Sequence, residues 1–339
     1  MKIAIDVFGG DNSPGAVLDG CGSALKKYSD IELILVGDEG IITEAITGRS
    51  EFSGRTEILH APDVISCDEQ PTQAIKRKKE SSLVRALECV ANKSADAFIS
   101  AGSSGAVLAG ATLIVRRISG IKRPALAPVI PTEKTPVLLI DCGANADAKP
   151  EYLQQFAMMG SAYMHGVLGV ENPRVGLINN GAEAEKGNML TKEAYSLLTN
   201  APVNFVGNCE ARDILSGSYD VLVCDGFVGN VVLKYTEGLA SSLMHMIKAE
   251  LTSGFISKIG AMLCKKSFKR FKKRMDYTEY GGAPLLGING CIIKAHGSSD
   301  AKAFESAIMQ ARNYIIGNVT ESIAAAVKTM GEGEQRREE

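Results

Sequence analysis

The amino-acid sequence predicts an α/β protein built on a mainly parallel β-sheet with helices on both faces. Two observations carry this prediction: short apolar runs recur along the chain, and most are separated by stretches with the spacing of a packed helix. A third is that each run has Gly, Asp, Asn or His at its last or last-but-one position, which is typical of buried strands that open into turns. The runs lie at residues 3–7, 33–37, 57–61, 97–102, 137–143, 174–180, 204–208, 221–226 and 291–297.

The composition fits a globular protein with a substantial core. The chain has 339 residues, of which 45% are hydrophobic and 22% charged. No run of 18 or more apolar residues is present, and the first residues enter a strand pattern without the features of a signal peptide. We therefore expect a cytoplasmic protein, and we expect the polar tail at 331–339 to be disordered.

The cysteines predict neither disulfides nor a metal site. Eight are present without a CxxC pair or a Cys/His cluster, and several lie within apolar strand patterns. Reduced, buried thiols explain this distribution best. Nucleic-acid binding is also disfavoured, because the net charge is −2 and aromatic residues make up only 6% of the chain. We expect no metal and no cofactor.

The turn after the first strand contains Gly9, Gly10 and Asp11. The two glycines would let the backbone approach a ligand closely, although a plain strand–turn–helix junction explains them too. The turn matches neither the dinucleotide-binding signature nor the phosphate loop of nucleotide-binding enzymes. Because Asp11 would repel a bare phosphate, we interpret it as an orienting group.

The segment after the fourth run favours an anion site. Gly102, Ser103, Ser104 and Gly105 lead into a helix of small residues. Free backbone N–H groups and the helix dipole attract phosphate at such a position. Close packing of the helix against the sheet is an equally good explanation. The spacing does not fit a serine nucleophile elbow.

Polar side chains gather at the ends of the later runs. In a parallel sheet these ends meet at one edge, which is where ligands bind. The candidates there are acids, amides, one lysine and one histidine, namely Asn145, Asn179, Glu183, Lys186, Asn208, Asp225, Asn230 and His296.

Taken together, the motifs resemble the PlsX family, the acyl-carrier-protein:phosphate acyltransferases. The resemblance covers nearly the whole chain. No single motif is specific to the family, but the occurrence of all ten in this order is. The ten motifs are GGD (9–11), KKESS (78–82), SAGSSGA (100–106), RPALAP (123–128), DCGANADAKP (141–150), EKGN (185–188), GNCEARD (207–213), DGFVGN (225–230), YGGAPLLG (280–287) and AHGSSD (295–300). The main departures are Val7-Phe8 for the usual Ala-Met and Ser103-Ser104 for Asn-Thr.

The resemblance implies a fold and an assembly. The family's fold is a three-layer α/β/α sandwich of two interleaved lobes, similar to phosphotransacetylases and to isocitrate and isopropylmalate dehydrogenases. On this basis we expect residues 1–330 to form one catalytic unit and the protein to be a homodimer.

The resemblance also implies a reaction, in which inorganic phosphate attacks the thioester of acyl carrier protein to give an acyl phosphate. No enzyme nucleophile is required, so catalysis would consist of positioning and oxyanion stabilisation. We expect residues 102–105 to bind phosphate and Lys186 to supply charge to phosphate or the oxyanion. His296 would orient phosphate or protonate the leaving thiolate. Asn145, Asn208 and Asn230 would fix geometry, while Asp225 and Glu183 would hold cationic groups.

A basic amphipathic segment is predicted at about 239–275. Residues 251–275 contain eight Lys or Arg and no Asp or Glu. Phe255 and Ile259 share one helical face, and a cationic cluster follows that includes Lys265, Lys266, Lys269 and Arg270. We interpret the segment as a peripheral contact with an anionic membrane, where a glycerol-3-phosphate acyltransferase would consume the product. Contact with acyl carrier protein, which is acidic, and packing in the dimer are the alternatives.

Three other functions fit parts of the pattern. A short-chain acyltransferase acting on coenzyme A thioesters would need the same fold and phosphate chemistry. A decarboxylating dehydrogenase would need an acidic metal site and a nicotinamide site, and neither is clear in the sequence. The third is a scaffold at the membrane without catalytic activity.

Overall fold

The computed structural model describes residues 1–274 and 281–338, which form two lobes, each built on its own β-sheet. The strands are β1 (Lys2–Asp6), β2 (Glu32–Gly37), β3 (Thr56–His60), β4 (Ala97–Ser100), β5 (Ala125–Leu126), β6 (Val129–Ile130), β7 (Val137–Ile140), β8 (Arg174–Asn179), β9 (Asn204–Glu210), β10 (Val221–Val223), β11 (Ala283–Leu286) and β12 (Cys291–Lys294).

The helices lie mostly between successive strands, as expected for a parallel sheet. They are α1 (Gly15–Lys27), α2 (Glu39–Ile46), α3 (Pro71–Arg77), α4 (Ser82–Ala91), α5 (Ser104–Gly110), α6 (Pro150–Leu168), α7 (Met189–Thr199), α8 (Gly226–Leu251), α9 (Phe255–Arg274), α10 (Ala301–Ile316) and α11 (Val319–Glu338).

The first lobe contains a seven-stranded sheet in the order β3-β2-β1-β4-β12-β11-β5. The first five strands in this order, which are β3, β2, β1, β4 and β12, are parallel to one another. Strand β11 runs antiparallel to both of its neighbours. Since β11 and β12 come from the C-terminal part of the chain, the first lobe is completed only after the second has been built. This is the interleaving that the resemblance implies.

The second lobe contains a five-stranded sheet in the order β6-β7-β10-β8-β9. All of its pairs are parallel except β6 with β7. The chain crosses from the first sheet to the second between β5 and β6, which are only two residues apart. The crossing brings the two sheets side by side and places the ends of β4 and β12 near the end of β7.

The core has one cluster that joins the lobes and two that lie on the opposite faces of the sheets. Successive strand residues point to opposite faces, so Ile3 and Ile5 enter the shared cluster while Ala4 enters another. Side chains from α1, α6 and α10 and from both sheets fill the shared cluster. In the second sheet, Leu139 packs on the far face with residues of α8. Helices therefore cover both faces of each sheet, which gives three layers.

The sequence prediction of the strands is confirmed for all nine apolar runs. It misses β5, β6 and β11, of which the first two have only two residues each. The C-terminal helical pattern continues through Val319, but the structure divides it at Gly317 and Asn318. Asn318 has φ = 47°, which ends α10 before α11 begins. Helix α11 includes most of the tail at 331–339 that the sequence predicts to be disordered.

The predicted basic segment forms the end of α8 and all of α9, and its last residue, Met275, lies outside the described residues. Phe255, Ile259 and the four predicted cationic side chains of the segment are all exposed to solvent. Across the described residues, no helix is both long and apolar enough to cross a membrane.

Candidate active site

A cavity of about 270 Å³ lies between the two lobes, beyond the carboxyl ends of β4, β7 and β12. Its walls come from both lobes, so the interleaved topology is what creates it. Residues of the predicted motifs line it, namely Ser104, Cys142, Gly143, Asn230, Gly281, Gly282, Ala283, His296 and Ser299. Three charged side chains also line the cavity, namely Lys234, Glu237 and Lys294.

The turn between β4 and α5 presents the start of α5 to this cavity. Ser103 caps the helix by accepting a hydrogen bond from the N–H of Ala106. The N–H groups of Ser104 and Gly105 have no partner among the described residues, whereas the N–H of Gly102 donates to Ser100 Oγ at 2.9 Å. The predicted anion cradle is therefore available at 104–105 and is closed at 102.

A buried carboxylate at the end of β1 lies beside this turn. Asp6 is buried, and its two carboxylate oxygens accept hydrogen bonds from Ser82 Oγ and Ser100 Oγ, each at 2.6 Å. Burial raises the pKa of Asp6, and the two hydroxyl donors act in the opposite direction. Because Ser100 Oγ also accepts a hydrogen bond from the N–H of Gly102, these hydrogen bonds connect the end of β1 to the turn between β4 and α5.

Gly9, Gly10 and Asp11 do not line the cavity in this structure. A Cβ atom on Gly9 would lie 2.6 Å from Asp6 Oδ2 and 2.7 Å from the backbone nitrogen of Gly102. Glycine is thus required because two loops touch at this point. The backbone N–H of Asp11 donates to the carbonyl of Gly297, which joins the same loop to the end of β12.

The loop after β7 is organised by a second buried carboxylate. Asp141 Oδ1 accepts hydrogen bonds from the N–H groups of Leu126 and Ala144, and Oδ2 accepts from both nitrogens of Asn145. Burial raises the pKa of Asp141, and Asn145 is the strongest opposing influence. Asn145 also donates to the carbonyl of Pro124, so its side chain holds the lobe crossing rather than pointing freely into the cavity.

Helix α8 begins at the cavity and forms its second wall. Asp225 caps the helix, with Oδ1 accepting from the N–H of Val228 at 2.8 Å. One turn later Asn230 faces the cavity, and its side chain lies within 4 Å of the site where Gly143 would carry a Cβ. Lys234 pairs with Glu237 at 2.8 Å on the next turn. Asp225 therefore acts on the helix terminus, and among the described residues it forms no ion pair with a lysine or arginine.

His296 lies at the rim of the cavity, two residues after β12. Its Nδ1 is 2.9 Å from Ser298 Oγ and accepts a hydrogen bond from the N–H of Ser298. The neutral ring consequently carries its proton on Nε2. Burial, with a contribution from Lys234, lowers the pKa of His296, which favours the neutral form at pH 7.

Lys294 is the group that the sequence analysis did not single out. It is the last residue of β12, only 8% of its surface is exposed, and it lines the cavity. Its Nζ donates to the carbonyls of Ala101 and Ala295. Burial lowers the pKa of Lys294 to about 8. The available signal was a lysine inside an otherwise apolar strand run, CIIKAHG.

The remaining predicted residues form a separate group at the ends of β8 and β9. Asn179 donates to the carbonyl of Lys186, and Asn208 donates to the carbonyl of Glu183 at 2.7 Å. The side chains of Glu183 and Lys186 are exposed. Neither they nor the two asparagines belong to the cavity lining. The buried Oδ1 atom of Asn208 has no hydrogen-bond partner in the part of the chain that the structure describes.

Two small apolar recesses extend the cavity. One of about 60 Å³ shares Ser104, Gly143 and Lys294 with it and reaches Leu108 on α5. The other, about 30 Å³, shares Leu233 and Glu237 with the cavity and continues along α8. Tyr280 and the other residues at 275–280 lie outside the described residues. Within the described ranges, no group of three His, Cys, Asp or Glu side chains is arranged to hold a metal ion.

Comparison with known sequences identifies close relatives of the chain. A family model described as fatty acid synthesis protein matches residues 1–322. A protein from Clostridium novyi named phosphate acyltransferase is 53% identical over 328 residues, covering 97% of this chain and 99% of that protein. A phosphate acyltransferase from Clostridium botulinum is 54% identical over 312 residues, covering 92% of this chain and 93% of that protein.

Comparison with solved structures identifies the fold. A phosphotransacetylase from Streptococcus pyogenes matches with a TM-score of 0.61 at 16% identity, over 97% of this chain and 94% of the other. A putative 4-hydroxythreonine-4-phosphate dehydrogenase from Salmonella typhimurium matches with a TM-score of 0.50 at 13% identity, over 92% and 99% of the chains. The expected similarity to phosphotransacetylases is confirmed.

Proposed function

Because the chain belongs to the family of fatty acid synthesis proteins whose curated members are phosphate acyltransferases, we propose that its acyl donor is a long-chain acyl carrier protein. Family membership makes the chain an enzyme that transfers an acyl group to phosphate, which removes the scaffold and the dehydrogenase from consideration. The proposal goes further in three respects: it specifies acyl carrier protein as the donor, a long acyl chain as the transferred group, and the membrane surface as the place where the product is used. The cavity between the lobes is the observation that carries it.

The reaction proposed for the cavity has one displacement at a carbonyl carbon. A phosphate oxygen attacks the thioester carbonyl and forms a tetrahedral oxyanion. The C–S bond then breaks, the acyl phosphate forms, and the carrier leaves as a thiolate that takes up a proton. Ser104 lines the cavity, Gly105 lines the adjoining recess, and their N–H groups have no partner among the described residues, which supports binding of phosphate there.

The other roles follow from where each side chain lies. Asn230 lines the cavity and would donate to phosphate or to the oxyanion. His296, neutral and protonated on Nε2, would donate a hydrogen bond to phosphate rather than a proton to the thiolate, because a neutral imidazole is too weak an acid to protonate a thiolate. Asn145 would act by shaping the wall through Asp141, and Asp225 by fixing the start of α8.

Lys186 and Glu183 would act from outside the cavity. Lys186 is exposed on the loop that follows β8. We propose that it attracts phosphate or the phosphate-bearing prosthetic group of the carrier, and that Asn179, Asn208 and Glu183 hold the loop in place. Two hydrogen bonds from the asparagines to loop carbonyls support this role.

A long acyl chain is favoured by the apolar character of the cavity walls. Leu126, Val129 and Leu233 line it, and the recess along α8 adds Ile130 and Ala240. The recess extends along α8 as far as Ala240, so a chain longer than the cavity would continue along this helix. Burial of each methylene contributes about 0.8 kcal/mol, which discriminates between long and short chains.

The apolar stripe of α8 supports a homodimer. Exposed large side chains recur on one face of the helix at intervals of three or four residues, which is the pattern of a helix that packs against a partner. They are Phe227, Val231, Tyr235, Leu239, Leu243, Met246 and Ile247. Packing of this face on its copy would bury it.

Helix α9 supports peripheral contact with an anionic membrane. Phe255, Ile256 and Leu263 are each at least 80% exposed, and the cationic side chains from Lys265 to Arg270 follow on the same helix. Apolar residues beside lysines suit the boundary of an anionic bilayer. A glycerol-3-phosphate acyltransferase working there would receive the acyl phosphate before water hydrolyses it.

The acyl donor is tested by comparing carriers in one assay. Purified protein is given palmitoyl-acyl carrier protein, palmitoyl-coenzyme A or butyryl-coenzyme A with radiolabelled phosphate, and the label in acyl phosphate is counted. We expect kcat/KM to be highest with the long-chain carrier protein. A preference for butyryl-coenzyme A would instead identify a short-chain enzyme and refute the proposed donor.

Membrane contact is tested by sedimentation with phosphatidylglycerol vesicles. Each lysine near an anionic surface contributes about 1 kcal/mol, so changing Lys265, Lys266 and Lys269 to Glu should lower partitioning by about 100-fold or more. The matched control changes three exposed lysines elsewhere, Lys76, Lys79 and Lys192, to Glu. Equal loss in both variants, or none in either, would refute a specific role for α9.

A further inference from the structure

Lys294 occupies a position in the cavity that the reaction described above does not yet use. Its side chain is 8% exposed, although a lysine buried without a carboxylate partner is costly in a folded protein. Among the described residues, no carboxylate oxygen forms an ion pair with Nζ. The structure therefore retains a buried, unpaired cation between the start of α5 and the loop after β7.

Among the described residues, the hydrogen bonds of Lys294 leave one of the three N–H donors of its ammonium group unused. An ammonium group has three N–H donors, and two of them are directed to the carbonyls of Ala101 and Ala295. These two carbonyls belong to the residues that directly follow β4 and β12. Lys294 lines both the main cavity and the recess that contains Ser104, so the third donor has the cavity as its surroundings.

We propose that the ammonium group of Lys294 binds the phosphate substrate and then the oxyanion that forms when phosphate attacks the thioester. This inference rests on the proposed function and names the residue that supplies positive charge to its acceptor. The carbonyls of Ala101 and Ala295 fix Nζ in place, so the charge is positioned before the substrate arrives. Lys294 is thus a catalytic residue that recognises phosphate specifically.

The other charged groups of the cavity make Lys294 the best partner for an anion. Lys234 already pairs with Glu237, and Asp6 accepts two hydroxyl hydrogen bonds on the far side of the Ala101 loop. His296 is neutral at pH 7 for the reasons given above. The titratable and charged groups that face Lys294 are Asp6, Asp11, Cys67, Lys234, Glu237 and His296.

The pH dependence of phosphate use follows from the same geometry. The ammonium form binds phosphate and the neutral amine does not, so kcat/KM for phosphate should fall as the pH rises through about 8, where Lys294 loses its proton. His296, whose pKa lies below its ordinary value because of burial, changes charge on the acid side and does not produce this alkaline limb. Arginine stays protonated over the whole range, so Lys294→Arg should shift the limb to higher pH.

The test compares two neutral replacements in the full-length protein. Lys294→Gln keeps an N–H donor for the carbonyls and removes the charge, whereas Lys294→Met removes both. Losing a charged hydrogen bond to the substrate should raise KM for phosphate by about 30-fold or more in each variant, with KM for the acyl donor within about threefold. Thermal unfolding of each variant reports whether it folds.

The control lysine is Lys27, which pairs with Glu305 on the surface at the other end of α1. Lys27→Met should leave both KM values unchanged. A Lys294→Gln variant that folds and keeps the wild-type phosphate KM and alkaline limb would overturn the inference, and the role of Lys294 would be purely structural. If the wild-type protein makes no acyl phosphate at all, the proposed function fails instead, so the two failures are distinguishable.

Discussion

The cavity between the lobes and the loop group beyond β8 and β9 carry similar residue types in opposite environments. Lys294 is buried in the cavity wall with two carbonyl partners, whereas Lys186 is exposed on its loop. Asp141 is fully buried and accepts four hydrogen bonds, whereas the Glu183 side chain extends into solvent. Both groups follow strands of a parallel sheet, but only one lies where two lobes meet.

The difference shows what converts strand-end residues into a reaction site. A charge in the cavity is screened little by water and is held by the surrounding fold, so it acts strongly on a reacting group. A charge on the exposed loop is screened and pays an entropic cost for each defined contact. We therefore assign the chemistry to the cavity and the capture of substrate to the loop.

The largest expected effect concerns the two acids. Asp141→Ala leaves the N–H groups of Leu126, Ala144 and Asn145 without their buried acceptor and should lower the free energy of unfolding by about 3–5 kcal/mol. Glu183→Ala, the control from the loop group, should change it by less than about 0.5 kcal/mol. Denaturant unfolding measures both, and equal losses would break the comparison.

The next effect concerns the exposed lysine. Lys186→Ala should lower kcat/KM with the long-chain carrier by about fivefold, because a screened surface charge contributes about 1 kcal/mol to binding and orientation. Lys192→Ala, on the same side of the second sheet, is the control and should have no effect. Near-normal turnover would remove Lys186 from the mechanism. A loss as large as that in Lys294→Gln would show that the loop takes part in the chemistry.

The smallest effect concerns His296. A carrier thiolate is a good leaving group, so replacing the Nε2–H hydrogen-bond donor of His296 with an amide in His296→Gln should lower the rate at pH 7 by only about threefold. The wild-type rate should fall on the acid side with a midpoint below 6.5, since protonation of Nδ1 removes the acceptor for the Ser298 N–H. A pH–rate profile of both proteins tests this, and an acid limb that persists in His296→Gln would exclude His296 as its source.

Much of the fold was predictable because it depends on local patterns. Nine apolar runs became strands, since buried parallel strands need continuous apolar residues. The short strands β5 and β6 could not be predicted, because a strand of two residues is too short to show an alternation of apolar and polar side chains. β11 was missed since it contains Pro284 and follows two glycines, features that normally argue against a strand. The division into interleaved lobes came from family resemblance alone.

The site was predictable only in part, for a physical reason. The sequence shows which residues follow strands, but it does not show which strand ends face each other across two sheets. Ser104, Asn230 and His296 meet in the cavity, while Asn179, Glu183, Lys186 and Asn208 lie elsewhere. Lys294 was missed because a lysine at the end of an apolar strand is usually exposed, whereas only 8% of its surface is exposed here.

The most direct test of the account is whether phosphate itself is the nucleophile in the cavity. Purified protein is incubated with palmitoyl-acyl carrier protein, with and without radiolabelled phosphate, while released carrier thiol and labelled acyl phosphate are counted. The account predicts that thiol release requires phosphate, equals the label in acyl phosphate, and leaves no acyl group on the protein. Thiol release without phosphate, accompanied by an acylated protein, would reveal an enzyme nucleophile and contradict it.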